Sequence, residues 1–353
     1  MTFDHVPPQL PTHRPCKVAF VGEAPSYEEI YKGQPLVGPS GRIFNAILRT
    51  AGLRREDYLI TNVFDEQLPS NNVANWCMDM REARTRGALD LPPIGPAGFL
   101  RKEHRWHLER LKKELEECQP TVVVPLGGTA LWAFTGETNI TAQRGAPRFA
   151  TRVVPGVKLL PTFHPSYIMK VWKFFHVVTG DFQRAAMEAE RGPHLYLPER
   201  NLLLEPTYSD LMRNTDRLLG TDLLSVDIET GWGQITCIGF APSPEWAICV
   251  PFVDLRRPNH SYWSTEGEEC LAWKWVEMIL SSPTPKLGQN FGAYDAYWLL
   301  QRHLPTRNLR ADTRLLSHAI YPELPKSLAF MGASFGTQGA WKEWGKRVDK
   351  RDN

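Results

Sequence analysis

The chain has 353 residues, 42% of them hydrophobic and 23% charged, with a net charge of +2. That composition is ordinary for a globular protein, and the length exceeds a typical single core, so two domains are expected. The balanced charge excludes a uniformly basic nucleic-acid binder and leaves a local patch as the one possible footprint. The cysteines (Cys16, Cys77, Cys118, Cys237, Cys249 and Cys270) form no CxxC pair, which argues against a zinc ribbon or a cysteine-rich scaffold. Scattered single cysteines fit a reducing compartment. The N-terminal stretch MTFDHVPPQLPTHRP has no apolar h-region, and no apolar run is long enough to cross a bilayer. Neither secretion nor a membrane partner is therefore expected.

Residues 17–22 (KVAFVG) read as a buried strand, and 40–51 (SGRIFNAILRTA) as a helix stopped by Gly52. A second strand is expected at 58–63 (YLITNV). The Pro-, Asn- and Gly-rich stretch 65–98 reads as a long loop region, a kind of segment that often carries function. A charged helix is expected at 99–117, then a buried strand at 121–127 (TVVVPLG) feeding a helix at 128–135. A strand and loop at 158–170 (KLLPTFHPSYIMK) lead to a helix at 177–190, and 191–201 reads as a linker. Beyond it come the strand LLLEP, a helix at 207–219, the strand DLLSVDIE and two alternating strands, QITCIGFAP and EWAICVPF. Helices are expected at 265–281, 293–302 and 311–320. Strands alternating with helices predict two α/β domains, 1–195 and 202–353.

Three distant pieces fall at strand ends: GEAPS (22–26), TN (61–62) and FHPSYIMK (163–170). In an open parallel sheet, ligands bind outside the carboxyl ends of the strands. Glu23, Asn62 and His164 are thus expected to converge on one pocket. Taken singly, Glu23 reads equally as an acid at a helix N-terminus, and His164 as a satisfied structural histidine. VVVPLGGTA reads as an ordinary strand-turn-helix or as a phosphate cradle. The basic stretch FLRKEHRWHLERLKK (99–113) reads as a solvated face or as a phosphate contact.

Taken in order, GEAPS, GQPLVGPSGRIFNAIL, LITNV, VVVPLGGTA, Arg144-Gly145 and PTFHPSYIMK resemble the motif set of the uracil-DNA glycosylase superfamily, nearest its thermostable family-four branch. The resemblance covers about residues 17–190. It implies a parallel-sheet sandwich that binds DNA, flips out a base and hydrolyses its glycosidic bond. It implies that Glu23 helps position the attacking water and that Asn62 reads the pyrimidine edge. It also implies that His164 neutralises charge developing on the departing base. Ser166, Lys170 and Arg144 would contact the DNA, while Pro165, Tyr167, Ile168 and Met169 would fill the gap left by the base. Ser26 stands where the family usually has glycine. Leu36 stands where an aromatic ring stacks on uracil, a contact worth roughly 1–3 kcal/mol. The family's iron–sulfur cluster needs four cysteines. The N-terminal pair is missing and Cys118 does not match a ligand position, so no iron–sulfur cluster is expected.

The stretch SVDIETGWG places Asp227 and Glu229 two apart on a strand, and so on one face. KLGQNFGAYDAYWLL (286–300) places Asp295 in the first turn of a helix. Three carboxylates from two elements suit Mg²⁺ or Mn²⁺, which would activate water for phosphodiester cleavage. DIET, GQNFGAYD and ADTRLLSHAIYPELPKSLAFMGASFG (311–336) resemble the 3′–5′ proofreading exonuclease domain of phage family A DNA polymerases, with its RNase H-like (DnaQ-like) fold. The family's third motif, YxxxD or HxxxxD, is not found. Asp349 and Asp352 lie in a charged tail without the right companion, so the exonuclease domain reads as incomplete.

The two resemblances jointly imply a phage-type DNA replication or repair protein, the N-terminal portion of a split or truncated family A polymerase. A separate polymerase polypeptide would complete the exonuclease domain, in the cytoplasm of a bacterial or phage-infected cell. Two alternatives stay open: an active uracil-DNA glycosylase, and a non-catalytic DNA-binding or polymerase-assembly module.

Overall fold

The computed structural model describes residues 4–13, 16–196 and 198–336. The chain divides into two units. The first takes the described residues up to Tyr196 together with those from Ala329 onward, and the second takes residues 198–328.

The first unit is built on five strands: β1 (Val18–Gly22), β2 (Leu59–Asn62), β3 (Val122–Pro125), β4 (Arg148–Phe149) and β5 (Lys158–Leu159). Their order is β2-β1-β3-β5-β4, with β1 parallel to both neighbours, β3 parallel to β5, and β4 an antiparallel edge. The apolar runs VAFVG and VVVP are buried along their whole length, as strands covered on both faces must be. The helices that flank the sheet and its strand ends include α1 (Tyr27–Lys32), α2 (Pro39–Thr50), α3 (Trp106–Cys118), α4 (Gly128–Thr135), α5 (Pro165–Lys170) and α6 (Phe175–Glu190). On one face, Phe20 of β1 meets Phe44 of α2 and Phe182 of α6, with ring centroids 5.2 and 4.6 Å away. On the other, Ala19 and Val21 join Leu111, Leu115 and Trp132 in one buried cluster.

Two expectations change here. Phe99–Leu100 pair with Cys77–Met78 as a short antiparallel ribbon, so the charged helix starts only at Trp106. The stretch expected as a loop after His164 is the helix α5. Proline suits a first helical position, and the His164 ring accepts the Ser166 amide as its cap.

The second unit carries β6 (Asn201–Leu203), α7 (Tyr208–Leu219), β7 (Leu224–Gly231), β8 (Gln234–Ser243), β9 (Trp246–Pro251) and α8 (Glu266–Ser281). After these come β10 (Lys286–Gly288), α9 (Asp295–Gln301), β11 (Leu309–Asp312) and α10 (Thr313–Ile320). The sheet order is β11-β10-β7-β8-β9-β6. β7, β8 and β9 form an antiparallel meander, and β10 lies parallel to both β7 and β11. Alternation buries Val226, Ile228, Ile238, Phe240, Ile248 and Val250 with Leu211, Leu218 and Trp275. It leaves Asp227 and Glu229 exposed together on the opposite face. β10 is hidden in the sequence because its first residue is a buried lysine. Lys286 Nζ donates to the carbonyls of Ser282 and Thr284, both at 2.9 Å, at the end of α8.

One further helix, α11 (Leu328–Phe335), belongs from Ala329 onward to the first unit. The boundary expected from sequence assigned it to a 202–353 domain. Its buried Phe330, Met331 and Ala333 make it part of the first unit's packing instead.

Candidate functional site

The four parallel strands of the first unit end on one edge, and the expected residues follow those ends. Glu23 comes directly after β1, Asn62 closes β2, Gly127 follows β3, and His164 follows β5. A cavity of about 320 Å³ opens there, lined by Glu23, Leu36, Asn71, Gly127, His164 and Ser166 among others. Asn62 is buried beside it. A Cβ on Gly22 would stand 2.3 Å from Asn62 Oδ1 and 3.7 Å from His164 Nε2, so those two side chains flank one point. A Cβ on Gly127 would stand 3.1 Å from His164 Cβ, and Gly127 has φ +88. Both glycines are therefore needed for backbone and polar side chains to approach this closely.

The His164 ring is held at Nδ1. Ser166 N donates to it at 3.2 Å, and Ser166 Oγ lies 2.8 Å away. A nitrogen that accepts an amide proton carries none itself, so the neutral ring is protonated at Nε2. Burial pushes the imidazole down to about 4. At neutral pH His164 is thus an uncharged donor, not the cation that charge neutralisation suggests. Burial raises the Glu23 carboxyl above its ordinary range, partly offset by the hydrogen bond that Thr129 Oγ1 donates to it. Leu36 is buried, with φ +49, where a non-glycine residue is strained. Arg55 fixes it by donating to the carbonyls of Pro35 at 2.6 Å and Leu36 at 2.8 Å.

The residues expected from sequence to contact DNA divide. Ser166 and Lys170 are exposed on α5, as are Tyr167 and Met169. Pro165 and Ile168 point into the core instead, because a helix there must bury one face. Arg144 cannot reach a phosphate. It is buried, and its guanidinium grips Asp181 through Nε–Oδ2 at 3.0 Å and Nη2–Oδ1 at 2.5 Å. The basic stretch at 99–113 is also largely committed: Arg101 bonds Glu82, Arg105 bonds Asp90, and Arg110 bonds Glu114. Thr129, Asp181, Gly22 and Asn71 were not singled out from sequence. For Thr129 and Asn71 the available signal was their place in the turns after β3 and in the long loop.

In the second unit Asp227 and Glu229 share the open face, but Asp295 is buried. Asp295 Oδ1 accepts the Ile228 amide at 3.0 Å. Burial, with Asp227 and Asp312 nearby, pushes its carboxyl up to about 6. Among the described residues, no group of three His, Cys, Asp or Glu side chains is placed to hold a metal ion. The trio expected to bind Mg²⁺ or Mn²⁺ is no exception, since one member is turned to a backbone amide of the strand that carries the other two. Asp312 was passed over in the sequence. It caps α10 through Arg314 N and accepts Asn290 N, both at 2.9 Å, which pins Asn290 at φ +61. Asp349 and Asp352 lie outside the described residues.

Residues 11–183 match the family model for the uracil DNA glycosylase superfamily. The type-4 uracil-DNA glycosylase of Thermotoga maritima is 34% identical over 156 residues, covering 44% of this chain and 67% of that protein. The Archaeoglobus fulgidus type-4 enzyme is 30% identical over 174 residues, covering 48% of this chain and 75% of that protein. This chain belongs to the uracil-DNA glycosylase superfamily. The family-model match ends at residue 183, within α6. Among solved structures, Escherichia coli RNase D, an exoribonuclease, is similar with a TM-score of 0.29 at 17% identity. That match covers 39% of this chain and 34% of RNase D, so the chain spans about a third of that protein. The EXD2 exonuclease domain soaked in Mn and GMP is similar with a TM-score of 0.26 at 17% identity, over 38% of this chain and 68% of that one. Among the described residues of this superfamily member, no helix is long and apolar enough to cross a membrane.

Proposed function

We propose that the first unit is a DNA glycosylase that hydrolyses the glycosidic bond of a pyrimidine flipped out of DNA, with uracil as its base. The observation that carries this reading is the meeting of Asn62 and His164 around Gly22 beside the cavity that Glu23 lines. Negative charge builds on the base oxygen as the bond breaks. A neutral Nε2–H in a water-poor pocket stabilises that charge without the desolvation cost of a buried cation. The Asn62 amide offers a donor and an acceptor to an amide-like base edge. Glu23, held by Thr129, orients water toward the sugar and acts in its ionised form, so the rate rises as pH passes upward through its raised titration range. The exposed Ser166 and Lys170 bind phosphate, and Tyr167 and Met169 occupy the space the base leaves. The test is uracil release from single-stranded DNA followed by alkaline strand cleavage. Release that disappears in His164→Ala supports the reading, and no release at any pH ends it.

For the second unit we propose an exonuclease-like module that binds DNA. The paired acids of the DIET strand favour this, but the buried, amide-bound Asp295 leaves the trio short of a metal cage. No cleavage step is therefore derived for it. Mg²⁺-dependent degradation of DNA by this chain, lost in Asp227→Ala, would restore the catalytic reading. Salt-dependent DNA binding without degradation would support the module. That the chain is the N-terminal portion of a phage family A polymerase remains part of this proposal, and capture of a separate polymerase chain would be its direct test.

A further inference from the structure

The helix α11 packs into the first unit at a place that base excision leaves unexplained. Arg184 donates from Nη1 to Ala333 O at 2.6 Å and from Nη2 to Ser334 O at 2.9 Å. These carbonyls end the helix and have no partners within it, and a cation there also complements the helix dipole. The same Nη1 reaches Gly145 O at 2.5 Å. A Cβ on Gly145 would stand 2.6 Å from Ala333 O, and its φ is +74, so glycine is required for the helix to seat.

The contacts continue from α11 to His164. Arg144 donates from Nη1 to Ser334 Oγ at 3.0 Å while gripping Asp181, and Asp181 Oδ2 accepts Thr162 Oγ–H at 2.5 Å. The Arg144 guanidinium lies 5.2 Å from the Phe330 ring and 6.0 Å from the Phe163 ring. Phe174 bridges the same two rings, at 5.0 Å from Phe163 and 6.2 Å from Phe330. Thr162 and Phe163 are the two residues before His164. One buried ion pair and one aromatic cluster thus connect α11 to the segment that aims the imidazole.

We propose that α11 is a positioning element: its docking on Arg144, Arg184 and Phe174 seats Thr162 and Phe163, and thereby fixes His164 and α5 at the cavity. A buried ion pair is stable only while its remaining donors are bonded and water is kept out. α11 supplies both conditions, through Ser334 and Phe330. The kinetic consequence rests on the glycosylase reading, whereas the coupling itself does not.

The test uses the full chain with Phe330→Ala, Phe330→Leu and Ser334→Ala. The readouts are amide exchange over residues 162–170, the NMR titration of the His164 ring, and uracil release. In Phe330→Ala, exchange at 162–170 speeds up by about tenfold or more. The His164 midpoint rises from about 4 toward the ordinary histidine range, and kcat falls while KM holds. Phe330→Leu restores most of each change, and Ser334→Ala moves them in the same direction by less. The proposal is overturned if α11 loses protection while the 162–170 amides and the His164 midpoint stay where they were. Should Phe330→Ala fail to fold, the response of Ser334→Ala in those readouts decides alone. A wild-type chain that releases no uracil sinks the glycosylase reading, yet exchange and titration still judge the coupling.

Discussion

The two units treat their polar residues in opposite ways. In the first, Glu23, Asn62 and His164 come from three strand ends and meet at a cavity that raises one carboxyl and depresses one imidazole. In the second, two carboxylates stand on an open sheet face while the third is turned inward to a backbone amide. Convergence with desolvation prepares a site for chemistry, because charge changes are amplified where water is absent. The contrast separates polar groups drawn together at a cavity from carboxylates divided between an open face and the core.

The sharpest way to break this contrast is His164→Ala. Loss of one donor to a developing oxyanion is expected to lower kcat by about 10²–10³-fold. A surviving rate would mean that the convergence is architectural. Gly22→Ala comes next, since its Cβ would stand 2.3 Å from Asn62 Oδ1. Displacing that amide leaves a base edge unpaired, which is worth roughly 1–3 kcal/mol and should raise KM about tenfold or more. Leu36→Phe tests what the missing ring costs. Restored stacking should lower KM by roughly tenfold, read on single-stranded uracil substrates.

Asp295→Asn probes the second unit through stability. The native carboxyl titrates at about 6, above its unfolded value. Native wild type thus binds more protons than the unfolded chain between pH 4 and 6, and loses stability as pH rises through that window. The asparagine variant escapes the loss, so its advantage should grow toward about 3 kcal/mol at most and level off above pH 6. Calorimetry against pH would measure this. If Mg²⁺ removes the difference by stabilising the wild type, an ion does complete the trio. The smallest effect is expected from Thr129→Val. Removing the bond that favours the Glu23 carboxylate should move the acid limb of the rate profile to higher pH, with little change in its plateau.

Much of this was legible in the chain. Long apolar runs such as VAFVG and VVVP can only be covered strands, and the distance of GEAPS, TN and FHPSYIMK from one another did not hide their shared position at strand ends. Short elements were not legible. β10 begins with a buried lysine satisfied by carbonyls, and α5 begins with a histidine that acts as a cap, neither of which resembles its element by composition. Arg144 misled for a related reason: an arginine in a motif does not disclose its partner, and Asp181 lies 37 residues away.

The order of motifs determined the family, the α/β class and the identity of the residues at the strand ends. It also determined the strand alternation that puts Asp227 and Glu229 on one face, because side-chain period follows from backbone geometry alone. Only the tertiary structure decided which groups are dry and which are paired. Burial made His164 a neutral donor, gave Arg144 to Asp181 rather than to DNA, turned Asp295 inward, and joined α11 to the first unit. Those outcomes depend on neighbours distant in sequence, and the energy of a charge is set by its neighbours and its access to water.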